Sequence, residues 1–165
     1  MNDIFKEFGK SIAKYDEQYE GLFIELARKG SLGGDTEILG YSFETKYEFY
    51  LYCFFIGLYN EQRSSSGSRK NNFSHPIEKW GSKSGGRHSF EIIQNYIFIA
   101  CFNHTDDIDI IALEKGEIEV SSIINKMMLT LEEYTNGGLQ LLTEKKESEP
   151  NYFNGKTGFL DFILN

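Results

Sequence analysis

The stretch FETKYEFYLYCFFIGLYNEQ, residues 43–62, decides the fold. Its apolar side chains, most of them aromatic, occupy almost every face of a helix drawn through it. A helix that is apolar all round lies in a protein interior. A strand can also be drawn through FYLYCFFI, because aromatic residues favour strands, but the length of the stretch and its charged flanks favour a helix. We therefore expect residues 43–62 to form a helix with few exposed sides.

Helical spacing also marks the segments at either end of the chain. Apolar residues recur every three or four positions through residues 3–28, which predicts one helix that ends before Gly30. The same spacing runs through residues 118–147, where the tripeptide NGG at 136–138 interrupts it. That tripeptide either ends one helix and opens another, or is tolerated within one long bent helix.

Two shorter helices are predicted between these segments. Residues 90–102, FEIIQNYIFIACF, predict a buried helix with Ser89 as its N-cap. Thr105 is the predicted N-cap of a short helix that ends at Lys115-Gly116, because aspartates follow the cap and a cation precedes the glycine.

Together these elements predict a mainly α protein. Its 165 residues suit one domain, and its 25 aromatic residues exclude a wholly disordered chain. We expect a compact helical bundle of about five or six helices over residues 1–165. A long basic loop at 63–88 and a C-terminal docking segment at 150–165 complete the predicted domain.

The compartment is predicted to be the cytoplasm. Cys53 and Cys101 both lie in apolar runs, as buried thiols in a reducing environment do. The N-terminus lacks the pattern of a secretory signal, and no stretch reaches the roughly 18 uncharged apolar residues of a spanning helix. We therefore expect no membrane partner.

Charge is unevenly distributed along the chain, whose net charge is −8. Residues 63–88 contain six basic residues and one acid, Glu78, whereas the rest of the chain contains 11 basic and 24 acidic residues. The basic segment is thus +5 beside a body of −13. It also contains Phe73 and Trp80, which can stack on a base or ring, and many serines and glycines.

Two interpretations of the basic segment remain open. In the first, it binds an anionic partner, either DNA or RNA, a nucleotide, or an acidic protein surface, which includes another copy of this chain. In the second, it is a long solvated loop that Phe73, Ile77 and Trp80 hold at its middle. The residues predicted to contact the partner are Arg63, Arg69, Lys70, His75, Lys79, Trp80, Lys83 and Arg87.

Enzymatic alternatives depend on the acidic cluster at 106–119. His104 with Asp106 and Asp109 is a weak metal-ligand set, because aspartates also favour helix starts. If DIDIIALEKGEIEV is instead strand, turn and strand, it resembles the hairpin of restriction-endonuclease-like folds, with Asp107, Asp109 and Glu119 as catalytic acids. The expected lysine two residues further on is absent. We find no nucleophile motif and no phosphate loop, so we expect no cofactor and favour a non-catalytic protein.

Four pieces occur in an order that is similar to small accessory proteins of bacterial anti-phage defence gene clusters. They are YEFYLYCFFIGLYNEQR, SHPIEKWG, TDDIDIIALEKGE and LEEYTNGGLQLL. The resemblance implies a non-catalytic accessory subunit that works beside larger nuclease or ATPase subunits, and it assigns no functional residues. The alternatives are the metal-dependent nuclease and a nucleotide or small-molecule sensor with a pocket lined by the aromatic core.

Overall fold

The computed structural model describes residues 2–27, 42–81, 91–154 and 157–164, and these residues are mainly helical, as predicted. They form seven α-helices, three short 3-10 turns and one two-stranded sheet. The helices are α1 Asn2–Lys10, α2 Glu20–Leu26, α3 Lys46–Tyr59, α4 Glu91–His104, α5 Ile110–Glu114, α6 Val120–Ser148 and α7 Gly158–Leu164. The strands are β1 Lys14–Asp16 and β2 Lys70–Asn72, and the 3-10 turns are Glu17–Tyr19, Ile77–Lys79 and Tyr152–Asn154.

Contacts divide the chain into two compact units, each built from two separate stretches. The first unit comprises residues 1–15 and 70–132, and the second comprises residues 16–69 and 133–165. The two units are defined by their internal contacts, and this does not show whether either folds by itself. The single domain over residues 1–165 therefore stays a prediction.

The central helix of the second unit is α3, and its prediction is confirmed. It begins with a capping box: the Thr45 side chain accepts the Glu48 N–H, and the Glu48 carboxylate accepts the Thr45 N–H. Such a box satisfies two donors that a helix start leaves unpaired. Seven of its 14 residues are buried, Phe49 and Phe54 completely, and only Phe55 and Tyr59 among its aromatics are exposed.

Glycines let α3 and α6 approach closely within the second unit. A Cβ at Gly57 would lie 1.9 Å from the carbonyl oxygen of Tyr134, and one at Gly138 would lie 1.9 Å from that of Cys53. Only hydrogen fits at either position. The NGG tripeptide lies within α6, which is one unbroken helix of 29 residues. Its last glycine makes the close approach to α3 possible.

The prediction of one helix over residues 3–28 is wrong. The chain leaves α1 after Lys10 and forms β1, whose ends bond to the β2 segment in antiparallel order. Phe73 N–H donates to the Ala13 carbonyl and Glu17 N–H donates to that of Arg69, at 3.1 and 3.2 Å. The apolar residues keep a helical spacing across this region because α1 precedes β1 and α2 follows it.

The two short central helices are corrected in detail. Helix α4 is confirmed, but its predicted cap Ser89 lies outside the described residues. The next helix is shorter than predicted, because Asp109 caps it instead of Thr105. The Thr105 hydroxyl instead donates to the Cys101 carbonyl at 2.6 Å, at the end of α4. The predicted end is confirmed, since Gly116 has a left-handed φ of 74°.

The described part of the C-terminal segment packs within the second unit. The Tyr52 hydroxyl of α3 donates to the Phe159 carbonyl of α7 at 2.7 Å. The Phe159 ring also contacts the rings of Phe43 and Phe153, with centroids 5.1 and 4.7 Å apart. An aromatic cluster therefore holds α7 in place.

Candidate functional site

The basic segment is not one free loop in the part that the structure describes. Residues 63–69 belong to the second unit and residues 70–81 to the first. The Ile77 N–H donates to the Ser11 carbonyl at 3.1 Å, next to the end of α1. Lys83 and Arg87, two of the predicted contact residues, lie outside the described residues.

Within the second unit, two arginines of the segment face the chain's own acids. The Arg63 guanidinium lies 3.7 Å from the Glu133 carboxylate and 4.7 Å from the centre of the Tyr134 ring. Arg69 lies 3.9 Å from Glu17 and is largely exposed, so that pair adds little stability. The partner of Arg63 is thus a surface of the same chain.

Two lysines of the segment also meet acids, within the first unit. The Lys70 ammonium lies 2.8 Å from the Glu132 carboxylate, whose side chain is only 8% exposed. A carboxylate so deeply placed needs a cation beside it. Lys79 lies 4.0 Å from Glu78, and both side chains are well exposed. Lys70 therefore has a structural role, while Lys79 stays open to solvent.

Trp80 does not present its ring to a partner, contrary to the prediction. The residue is 3% exposed. Its indole N–H donates to the His75 carbonyl at 3.2 Å, and its ring lies 5.4 Å from that of Phe73. Ile77 beside it is also buried. This arrangement supports the second interpretation, in which Phe73, Ile77 and Trp80 hold the segment, while the His75 side chain is exposed.

The nuclease hairpin does not form, so the structural basis of that alternative is wrong. Residues 110–114 are helical, and Glu119 directly precedes α6. Asp109 caps α5, the Asp107 carbonyl accepts from the Lys126 ammonium, and the Glu119 carboxylate accepts from the Ser121 hydroxyl. Across the described ranges, no three His, Cys, Asp or Glu side chains gather as a metal site would require.

Both cysteines lie in apolar interiors, as predicted. Cys53 and Cys101 are fully buried and free. Burial raises the pKa of the Cys53 thiol well above its usual value and raises the pKa of Cys101 as well. The reactive thiolate form is therefore disfavoured at both positions.

A groove of about 500 Å³ in the second unit bears on the sensor alternative. Gln18, Tyr19, Leu22 and Thr143 line it, and the Lys146 ammonium bonds to the Glu25 carboxylate at its edge. Its lining is mixed and open, and the aromatic residues of α3 are not part of it. The predicted pocket within an aromatic core is therefore not the groove observed here.

The sequence predicts α4 as a buried helix, and the structure differs from that prediction on one surface. Ile92, Tyr96 and Ile99 are 64%, 60% and 52% exposed. Their i, i+4, i+7 spacing places them on one face of the helix. Ile97 and Cys101 on the other side are buried. The sequence contains no signal for this exposure, because apolar residues spread around a helix predict that it is buried.

The outer face of α4, defined as Ile92, Tyr96 and Ile99, carries no charge. The exposed residues beside it on the helix include the amides Asn95 and Asn103. The helix itself is anchored, since the Phe98 ring lies 5.2 and 5.7 Å from the rings of Phe5 and Phe8 of α1. A rigid, uncharged apolar face of this kind is typical of a protein contact.

Comparisons with known proteins assign this chain to no family. None of the residues described forms a helix with both the length and the apolar character needed to cross a membrane. No family model, curated protein or solved structure matches the chain.

Proposed function

We propose that this chain is a non-catalytic interaction subunit that binds a helix of a larger protein through the outer face of α4. The observation that carries this proposal is the exposed row of Ile92, Tyr96 and Ile99. A row spaced over two helical turns fits the groove of another helix. Burying a fully exposed isoleucine contributes about 1.5–3 kcal/mol, and Ile92 and Ile99, which are 64% and 52% exposed, each contribute part of that.

The position of Tyr96 supports a protein partner in particular. It lies between the two isoleucines, and tyrosine at the centre of an apolar patch is a common hot spot of binding energy. The face has no charge to attract phosphate groups, and nucleic-acid binding depends on cations. A helix with leucine or aromatic side chains on one face is the partner that fits.

The basic segment is a weaker candidate for an anionic partner. Arg63 and Lys70 pair with acids of the same chain. Arg69 and Lys79 are the two cations of the described segment that remain largely exposed. Binding of DNA, RNA or an acidic surface through residues 63–88 stays a prediction, as does the cytoplasmic location. The link to anti-phage defence depends on the resemblance alone.

Copurification from the native host tests the proposal. A tagged wild-type chain is expected to retain a larger protein in a fixed ratio through size-exclusion chromatography. The double variant Tyr96→Ala/Ile99→Ser should lose that protein, because the centre of the face is removed. The matched control is Ile24→Ser, which changes an exposed isoleucine of α2 in the other unit.

Circular dichroism of all three proteins excludes unfolding as the cause of any loss. A wild-type chain that elutes alone would contradict the proposal. So would a partner that Tyr96→Ala/Ile99→Ser and Ile24→Ser retain equally well, since binding would then use another surface.

A further inference from the structure

Helix α5, in the first unit, has two adjacent isoleucines that are exposed to solvent. Ile110 and Ile111 are 45% and 65% exposed. The short helix is held firmly, because the Asp109 carboxylate accepts the Ala112 N–H at 2.9 Å and Gly116 ends the helix with its left-handed turn. β-Branched residues are not favoured in helices, and exposed ones gain little from folding. Neither propensity nor core packing accounts for this pair.

The segment around this pair is strongly acidic. Residues 105–119 contain six carboxylates and one lysine, a net charge of −5. All six acidic side chains are exposed: Asp106, Asp107, Asp109, Glu114, Glu117 and Glu119. The apolar pair therefore lies in a segment whose exposed charges are mainly negative, with Lys115 and the Lys126 ammonium at the Asp107 carbonyl as the cations beside it. Interfaces commonly combine an apolar centre with a charged rim that selects the partner.

We propose that α5 and its flanking acids, residues 106–119, bind a basic segment of another protein in which apolar side chains lie between lysines or arginines. Charge complementarity selects this occupant. Nucleic acid is repelled by the rim, and the same surface of a second copy carries the same negative charge. A segment with only cations leaves Ile110 and Ile111 uncovered. The proposal does not depend on the outer face of α4.

Three synthetic peptides of equal length test the proposal by fluorescence anisotropy with the full chain. The first alternates pairs of leucine and lysine, the second replaces leucine by serine, and the third replaces lysine by glutamate. The first peptide is expected to bind at least about tenfold more tightly than either of the others, because it alone supplies both components. Its affinity should fall as salt rises.

Variants of the chain locate the contact. Ile111→Asn is expected to weaken binding of the leucine–lysine peptide by about tenfold. Glu114→Gln/Glu117→Gln should weaken it as well and reduce its salt dependence. Glu144→Gln/Glu147→Gln makes the same change of charge on exposed residues of α6 and should leave binding unchanged. Tyr96→Ala should also leave it unchanged, which separates this site from the outer face of α4.

Several outcomes overturn the proposal. Equal binding of the leucine–lysine and serine–lysine peptides, unaffected by Ile111→Asn, would indicate charge attraction alone. An equal effect of the two glutamine pairs would indicate binding to the acidic chain as a whole. Self-association that Ile111→Asn abolishes would assign the surface to a second copy. If Ile111→Asn does not fold, Ile110→Asn and the Glu114→Gln/Glu117→Gln pair decide the question.

Discussion

Replacing Gly138 by alanine tests the close approach of α3 and α6 in the second unit. In an open helix position the change stabilises, because alanine is favoured over glycine by about 1 kcal/mol. At Gly138 the new Cβ would lie 1.9 Å from the Cys53 carbonyl oxygen and 2.7 Å from its carbon. The backbones of α3 and α6 must therefore move apart to make room for the methyl group. Overpacking of a core costs about 1–3 kcal/mol or more. A contact of 1.9 Å puts the cost at the upper end of that range, about 3 kcal/mol. After the propensity gain of about 1 kcal/mol, we expect a net loss of about 2 kcal/mol or more.

The matched control is Gly21→Ala on α2, in the same unit. Nothing lies within 4 Å of a Cβ at that position, so we expect a gain of about 0.5–1 kcal/mol. Urea unfolding followed by circular dichroism measures both variants. For a chain of this size, 1 kcal/mol moves the melting temperature by about 2–4 °C. Equal stability of wild type and Gly138→Ala would refute the close approach, and a loss in Gly21→Ala would refute the use of helix propensity here.

Three further predictions concern buried groups. Lys70→Met should cost about 1–3 kcal/mol, because it leaves the buried Glu132 carboxylate without its cation, and Lys70→Met/Glu132→Gln should recover part of that loss in urea unfolding. Trp80→Ala should cost about 3–5 kcal/mol, measured in the same way, whereas an exposed partner-binding residue would cost almost nothing. Burial raises the pKa of Cys53 and Cys101 in the folded chain. The thiols therefore do not lower the free energy of unfolding below the unfolded thiol pKa of about 8.5. As the pH rises above that value, the free energy of unfolding falls by about 1.4 kcal/mol per thiol per pH unit. Urea midpoints between pH 7 and pH 10 should fall less steeply for Cys53→Ala, and no change in slope would contradict this linkage.

Local patterns in the sequence predicted the helices well where those patterns were sufficient. α3 combined continuous apolar residues with the Thr45–Glu48 cap, and both signals act within a few residues. The helix proposed over residues 3–28 failed because its interruption is not local: β1 forms by pairing with residues about 55 positions further along the chain. The NGG tripeptide was undecidable for the same reason, since the helix backbone that needs its glycines lies at α3.

The charge pattern gave the segment but not its partners. The composition distinguishes a basic stretch from an acidic remainder, but the spacing of residues does not place Glu132 beside Lys70 or Glu133 beside Arg63. The two interpretations of Trp80 could not be separated from the sequence, because an aromatic residue among polar ones has the same signature in a small core as in a binding loop. The outer face of α4 was missed because apolar composition alone does not tell which faces find partners within the chain.

The buried amide of Asn136 has a consequence for how this protein ages. In flexible chains an asparagine before glycine deamidates readily, because the following backbone nitrogen can reach the side-chain carbonyl carbon. Asn136 precedes Gly137, but it lies within α6, accepts the Asp16 N–H at 3.0 Å and donates to the Ser66 hydroxyl at 2.8 Å. The ring closure that deamidation needs is blocked until this part of the second unit opens. The fraction of chains with aspartate at position 136 after storage should therefore report how often this part of the second unit opens. Peptide mass spectrometry measures that fraction. We expect it to rise faster in Gly138→Ala than in wild type.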